Sequence, residues 1–117
     1  MPNARAIGRN AEYDIRDDIN KYLPDEDCKR QIMSGALDGL KGDLISKSLL
    51  IEVKRRLSLN VNKNHMIKDW LLKIVEEERN TAGERIPVLI MKEFRGIKVA
   101  VLELETFLEL IRIAKDR

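Results

Sequence analysis

Apolar residues recur every fourth position from Ile7 through Ala11, Ile15 and Ile19 to Leu23, and polar residues fill the gaps. That spacing lays one apolar stripe along a helix over residues 3–23, with Asn3 as N-cap and Pro24 as its stop. Residues 24–30 read as a polar turn, and Gln31-Ile32-Met33-Ser34 as a short strand. Gly35, Gly39 and Gly42 then punctuate a loop. Residues 43–46 and 49–54 read as two strands of a hairpin closed near Lys47-Ser48. Residues 57–64 form a loop. Met66, Ile67, Trp70, Leu71 and Ile74 line one face of a second helix over 65–79. Residues 87–91 and 97–102 make a second strand pair around Arg95-Gly96, and a terminal helix runs over 104–115. The order is one helix, three strands, a helix, two strands and a helix. It predicts an α/β fold, a mixed central sheet flanked by helices.

At 117 residues the chain is long enough for one core and too short for two domains, so residues 1–117 are taken as a single domain. Hydrophobic residues at 44% exclude a disordered chain, and aromatics at 4% make the core aliphatic. No run approaches the ~20 apolar residues of a membrane span, and the N-terminus lacks the apolar stretch of a signal peptide. One cysteine, Cys28, leaves no intrachain disulfide and no zinc finger. These features make an intracellular protein without a membrane partner the expectation.

The net charge of +2 is too small to demand a nucleic-acid partner. Its distribution is more informative. Basic residues cluster at Arg5, Arg9 and Arg16, at Lys29-Arg30, and at Lys54-Arg55-Arg56 with Lys63 and Lys68 after, away from Glu76-Glu77-Glu78. A segregated basic face permits binding to a phosphate backbone.

Asp43, Glu52 and Lys54 are the candidate chemistry. Glu52 and Lys54 point the same way from their strand, and the hairpin register sets Asp43 opposite Glu52. Two acids and a lysine would then converge on one face of an apolar sheet. Buried charges are costly unless paired or bound to metal. Two carboxylates so placed suit Mg²⁺, and the lysine could polarise a water or stabilise charge on a phosphate. A plain salt bridge between Lys54 and either acid is the alternative.

Gly42-Asp43, followed after seven residues by Ile51-Glu52-Val53-Lys54, resembles the core of the PD-(D/E)XK nuclease superfamily. On the first helix, Glu12 sits at the rim of the stripe with Arg5, Arg9 and Arg16 beyond it. Gly8-Arg9-Asn10-Ala11-Glu12 is similar to the opening segment of archaeal-type Holliday junction resolvases, Ser34-Gly35 resembles their serine-glycine, and Ile86 to Lys92 resembles their fourth strand. The resemblance spans nearly the whole chain and implies a restriction-endonuclease-like core. It implies Mg²⁺, with Mn²⁺ as substitute, held by Asp43, Glu52, the Val53 carbonyl and Glu12. Lys54 would act on the attacking water, and Ser34 would lie at the active site. It implies phosphate contacts from Arg5, Arg9, Arg16, Arg30, Arg55, Arg56 and Lys63, and a homodimer cutting paired strands of four-way or branched DNA. The chain departs from the pattern in having Gly-Asp where Pro-Asp is usual. It also lacks a glutamine on the second helix, where His65 or Lys68 could stand instead. Another endonuclease of the superfamily, restriction-like or repair, shares the same site residues. A non-catalytic DNA-binding protein of the same fold is a further alternative.

Two more readings concern single elements. Trp70 is expected in the core. The terminal helix is broader in its apolar face (Leu104, Phe107, Leu108, Leu110, Ile111, Ala114, with Ile113 outside it) than one small sheet requires; it reads as a wide core face or as a self-association surface, and the homodimer that the resemblance implies favours the second.

Overall fold

A computed structural model describes residues 4–31, 42–60, 65–81 and 84–116. Helix α1, Ala4–Tyr22, carries the expected stripe: Ala11 and Ile15 are buried and Ile19 packs beside them. It ends ahead of Pro24, whose ring cannot supply the next backbone donor. A turn of 3-10 helix follows at Pro24–Glu26. Strand β1 is Lys29–Arg30, two residues earlier than the sequence pattern suggests. The reason lies at Cys28, which is buried and clasped by Asn20 of α1: Cys28 N donates to Asn20 Oδ1 at 2.7 Å, and Asn20 Nδ2 donates to Cys28 O at 3.0 Å. The expected strand residues 32–34 lie outside the described residues.

Strands β2 (Leu44–Ile45) and β3 (Leu49–Arg56) pair antiparallel, with Leu44 opposite Ile51 and Ile45 opposite Leu50, the register read from the sequence. Their turn is held by Glu26, which accepts from Ser46 Oγ, Ser48 N and Ser48 Oγ at 2.6–2.8 Å. Helix α2, Ile67–Asn80, crosses over to β4, Ile86–Glu93, which runs parallel to β3 from Leu49↔Ile86 to Arg56↔Glu93. A tight turn then leads to β5, Lys98–Val101, antiparallel to β4. The sheet order is β1-β2-β3-β4-β5.

Alternation along β3 divides the core. Ile51 and Val53 join Ala11, Ile15, Cys28, Leu44 and Val88 beneath α1. Leu50 and Glu52 fall on the opposite face, where α2 lies against β3 and β4 and buries Ile74. A second tie to α1 is ionic: Lys92 reaches Asp14 at 2.6 Å, and Lys98 reaches Asp14 at 3.1 Å and Asp18 at 2.6 Å. Helix α3, Leu104–Lys115, has no buried residue. No helix among the described residues is long and apolar enough to cross a membrane.

Candidate active site

The site forms where β2 parts from β3. Gly42 adopts φ +89°, and a Cβ there would stand 3.0 Å from Ile74 Cδ1 and 3.1 Å from the Ile51 carbonyl. Proline fixes φ near −65°, so the Pro-Asp form of the motif cannot be built on this turn, and Gly-Asp is its structural replacement. The turn leaves Val53 N–H without a β2 carbonyl. Asp43 supplies the acceptor instead, taking Val53 N–H on Oδ2 at 2.8 Å. The backbone of Asp43 is fixed on both sides, donating to Ile51 O at 2.8 Å and accepting from Gln31 N at 2.9 Å.

Glu52 is 4% exposed, a carboxylate almost fully out of water. Burial pushes its pKa above the ordinary 4.5, the charge of Asp43 adds to the rise, and Lys73 and Lys54 oppose it. Lys54 Nζ lies 3.3 Å from Glu52 Oε2, and Lys73 Nζ lies 3.8 Å from Oε1. The alternative salt bridge is thus present. Lys54 is also 5.3 Å from the centre of the Trp70 ring, and Arg56 approaches the same ring at 5.4 Å.

Glu12 reaches the rim from α1. Its Oε1 accepts from Arg30 Nε at 2.7 Å. Burial raises its pKa, Arg30 opposes the rise, and the charge of Asp43 adds to it. Glu12 and Glu52 therefore both respond to Asp43, one from the α1 side and one from the α2 side.

Among the described residues these acids do not make a ready three-ligand metal cluster. Glu12 is turned to Arg30, Asp43 to Val53 N–H, and Glu52 to two lysines. The donor set nevertheless fits a hard divalent cation. After burial, the charge of Asp43 is the next cause that raises the Glu52 pKa, a repulsion that a bound cation relieves, and both side chains offer oxygen.

The remaining candidates fall into three groups. Ser34 and Lys63, and the side chain of Arg5, lie outside the described residues. Arg9 is exposed, whereas Arg16 pairs with Asp17 at 2.8 Å and lies 4.7 Å from the Tyr13 ring. Arg30 is committed to Glu12, Arg55 lies 5.0 Å from the Phe94 ring, and Arg56 lies against Trp70. His65 and Lys68 are exposed. The α2 side chain that meets Glu52 is Lys73, which the sequence reading overlooked. Its signal was available: Lys73 adjoins the buried Ile74 and follows Trp70 by three residues, so all three share one face. Trp70 corrects an expectation, being half-buried beside two cations instead of in the core. Cys28 is buried and its thiol is pushed up to about 11 by burial, which removes it as a nucleophile.

A family model described as "Phage putative PDDEXK endonuclease" matches residues 3–117. No curated protein matches the sequence. Among solved structures, the fold is similar to Hjc, a Holliday junction resolvase from the archaeal hyperthermophile Archaeoglobus fulgidus. The TM-score is 0.55 at 17% identity, over 81% of this chain and 76% of that one.

Proposed function

Since the chain belongs to this family of phage PDDEXK endonucleases, and so to the nucleases of the PD-(D/E)XK superfamily, we propose that it is a structure-selective DNA endonuclease. It hydrolyses phosphodiesters with Mg²⁺ and cuts paired strands of four-way junctions as a homodimer. The observation that carries the reading is the meeting of Asp43, Glu52 and Lys54 at one break in the sheet, with Glu12 on its rim.

Asp43, Glu52 and the Val53 carbonyl would hold the cation, Mg²⁺ or Mn²⁺ in its place, and Glu12 would join them on leaving Arg30. When bound, the metal supplies positive charge to the phosphate and a more acidic water. The protein's own part is positional. Lys54 stands between Glu52 and Trp70, where its ammonium can orient the attacking water or meet charge developing on the phosphate. Lys73 brings a second cation to the same edge. Arg9, Arg55, Arg56 and the N-terminal Arg5 give contacts that read backbone charge and shape, not base sequence. Ser34 is proposed at the same site.

The dimer reading is supported by α3. Leu104, Phe107, Leu108, Ile111 and Ile113 are all exposed on a helix with no buried residue. A two-fold dimer would offer two sites with the symmetry of the substrate. The test is incubation of the wild-type protein with a labelled four-way junction, a flap and a linear duplex, with and without Mg²⁺. Paired, metal-dependent nicks confined to the junction are expected. Preferential cutting of flap or duplex would replace the junction reading with another endonuclease of the superfamily, and metal-independent or absent cleavage would overturn the mechanism.

A further inference from the structure

The basic residues of this chain differ in what they face. Arg16, Arg30, Lys92, Lys98 and Arg112 each face a carboxylate. Arg55 and Arg95 do not: among the described residues neither forms a salt bridge, and each guanidinium lies 5.0 Å from the centre of the Phe94 ring.

Phe94 sits at the β4–β5 turn, 45% exposed. The turn is well fixed. Phe94 N donates to Arg56 O at 2.8 Å, which joins it to the end of β3, and Glu93 N donates to Ile97 O at 2.9 Å. Arg95 adopts φ 53°, and a Cβ at Gly96 would displace the Glu93 side chain. Glu93, the nearest acid in the sequence, has Oε2 occupied by Leu59 N at 2.8 Å. Leu57 and Ile97, also exposed, extend the apolar surface, and an open recess of 340 Å³ lined by Arg55, Arg56, Leu57 and Ser58 adjoins it. Arg55 follows Lys54 on β3 with its side chain on the other face of the sheet, and Phe94 is joined to the end of that strand at Arg56.

An exposed aromatic ring flanked by cations, beside the end of the strand that carries Glu52 and Lys54, has the two attributes of a base-stacking platform: a π-face for the base and positive charge for its phosphate. We propose that Phe94, with Arg55 and Arg95, binds an unstacked nucleobase of branched DNA, and that this contact selects the branch over continuous duplex. The charge of the surface excludes a basic partner, and the exposed ring gives it a function that phosphate binding alone does not explain. In a continuous duplex the bases are already stacked on one another, so the ring gains a partner only where the stack is interrupted.

The proposal deepens the nuclease reading and rests on its DNA substrate, but its test is binding without divalent metal and needs no cleavage. Affinities for a four-way junction and a linear duplex are measured across a salt series. Phe94→Ala is expected to weaken junction binding about tenfold, the order of one lost base–aromatic stack. Duplex binding should change less than about twofold, with the salt slope unaltered. Phe94→Tyr, which keeps the π-face, should retain junction affinity. Arg95→Ala should weaken both substrates and reduce the salt slope by about one. A 2-aminopurine placed beside the branch should be quenched by the wild-type protein and not by Phe94→Ala. Equal loss on both substrates, or no loss on either, overturns the platform while leaving the nuclease reading intact. A wild-type protein that binds no branched DNA overturns both. Thermal melting of Phe94→Ala should match the wild type, because the ring is half in water.

Discussion

Arg30 of β1 donates through Nε to Glu12 Oε1 of α1 at 2.7 Å, so the outermost strand and the first helix are joined by an ion pair at the rim of the acid site. The pair opposes the rise in the Glu12 pKa that burial, first, and the charge of Asp43 produce. Arg30→Gln should therefore raise the Glu12 pKa further, read as a shift of its carboxyl carbon in an NMR titration. The cost in stability should be about 1 kcal/mol, since both side chains keep some contact with water. Glu12→Gln should cut activity strongly with melting little changed. A sharp fall in melting with normal turnover per folded molecule would make Glu12 a structural residue.

Asp43→Asn, Glu52→Gln and Lys54→Ala should each abolish cleavage while junction binding survives. Removing a carboxylate also relieves repulsion with phosphate, so binding by the two acid variants should hold or tighten. Gel-shift and single-turnover assays on the same preparations separate the two effects. A variant that keeps near-wild-type turnover in Mg²⁺ leaves the mechanism.

Glu52 carries a pH signature in metal-free buffer. Its carboxyl is raised above 4.5 by burial, so the folded chain holds that proton more tightly than the unfolded chain. As pH climbs from about 4.5 through the raised value, the unfolded state ionises first and stability falls. Glu52→Gln removes this slope. It should melt above the wild type at pH 7, with the gap closing as pH drops below 4.5. A variant melting lower than wild type at pH 7 would mean that the contacts to Lys54 and Lys73 outweigh desolvation.

Lys73 and Lys68 make a matched comparison on one helix. Lys73 approaches Glu52 at 3.8 Å, whereas Lys68 is exposed. Lys73→Ala should lower single-turnover cleavage about tenfold, the effect of losing roughly 1.4 kcal/mol of charge stabilisation. Lys68→Ala should stay near wild type. Equal effects of the two substitutions would reduce Lys73 to general surface charge.

Ile113 is 47% exposed on α3, and Leu110 is only half-buried. Ile113→Glu should split the dimer without unfolding the chain, because the site is already wet. Sedimentation at micromolar concentration reads the association. Junctions cut once should then outnumber those cut twice. A wild-type protein that stays monomeric on a junction contradicts both the dimer and the paired cut.

Short-range physics made much of this molecule legible in the residues. Apolar spacing of four located α1, and strand alternation with a two-residue turn set the β2–β3 register, which placed Asp43, Glu52 and Lys54 together. These follow from the chain's own geometry over a few residues. What only the tertiary structure decided are meetings between distant segments. Periodicity assigns Lys73 and Trp70 to a helix face but does not say which strand residue lies across from them. It could not tell that Arg30 would be taken by Glu12 eighteen positions earlier, or that Asn20 would clasp Cys28 and bring β1 forward. The Gly42 turn shows both at once. The glycine was visible in the sequence, but the reason proline cannot replace it is a positive φ wedged against Ile74, a residue on another element.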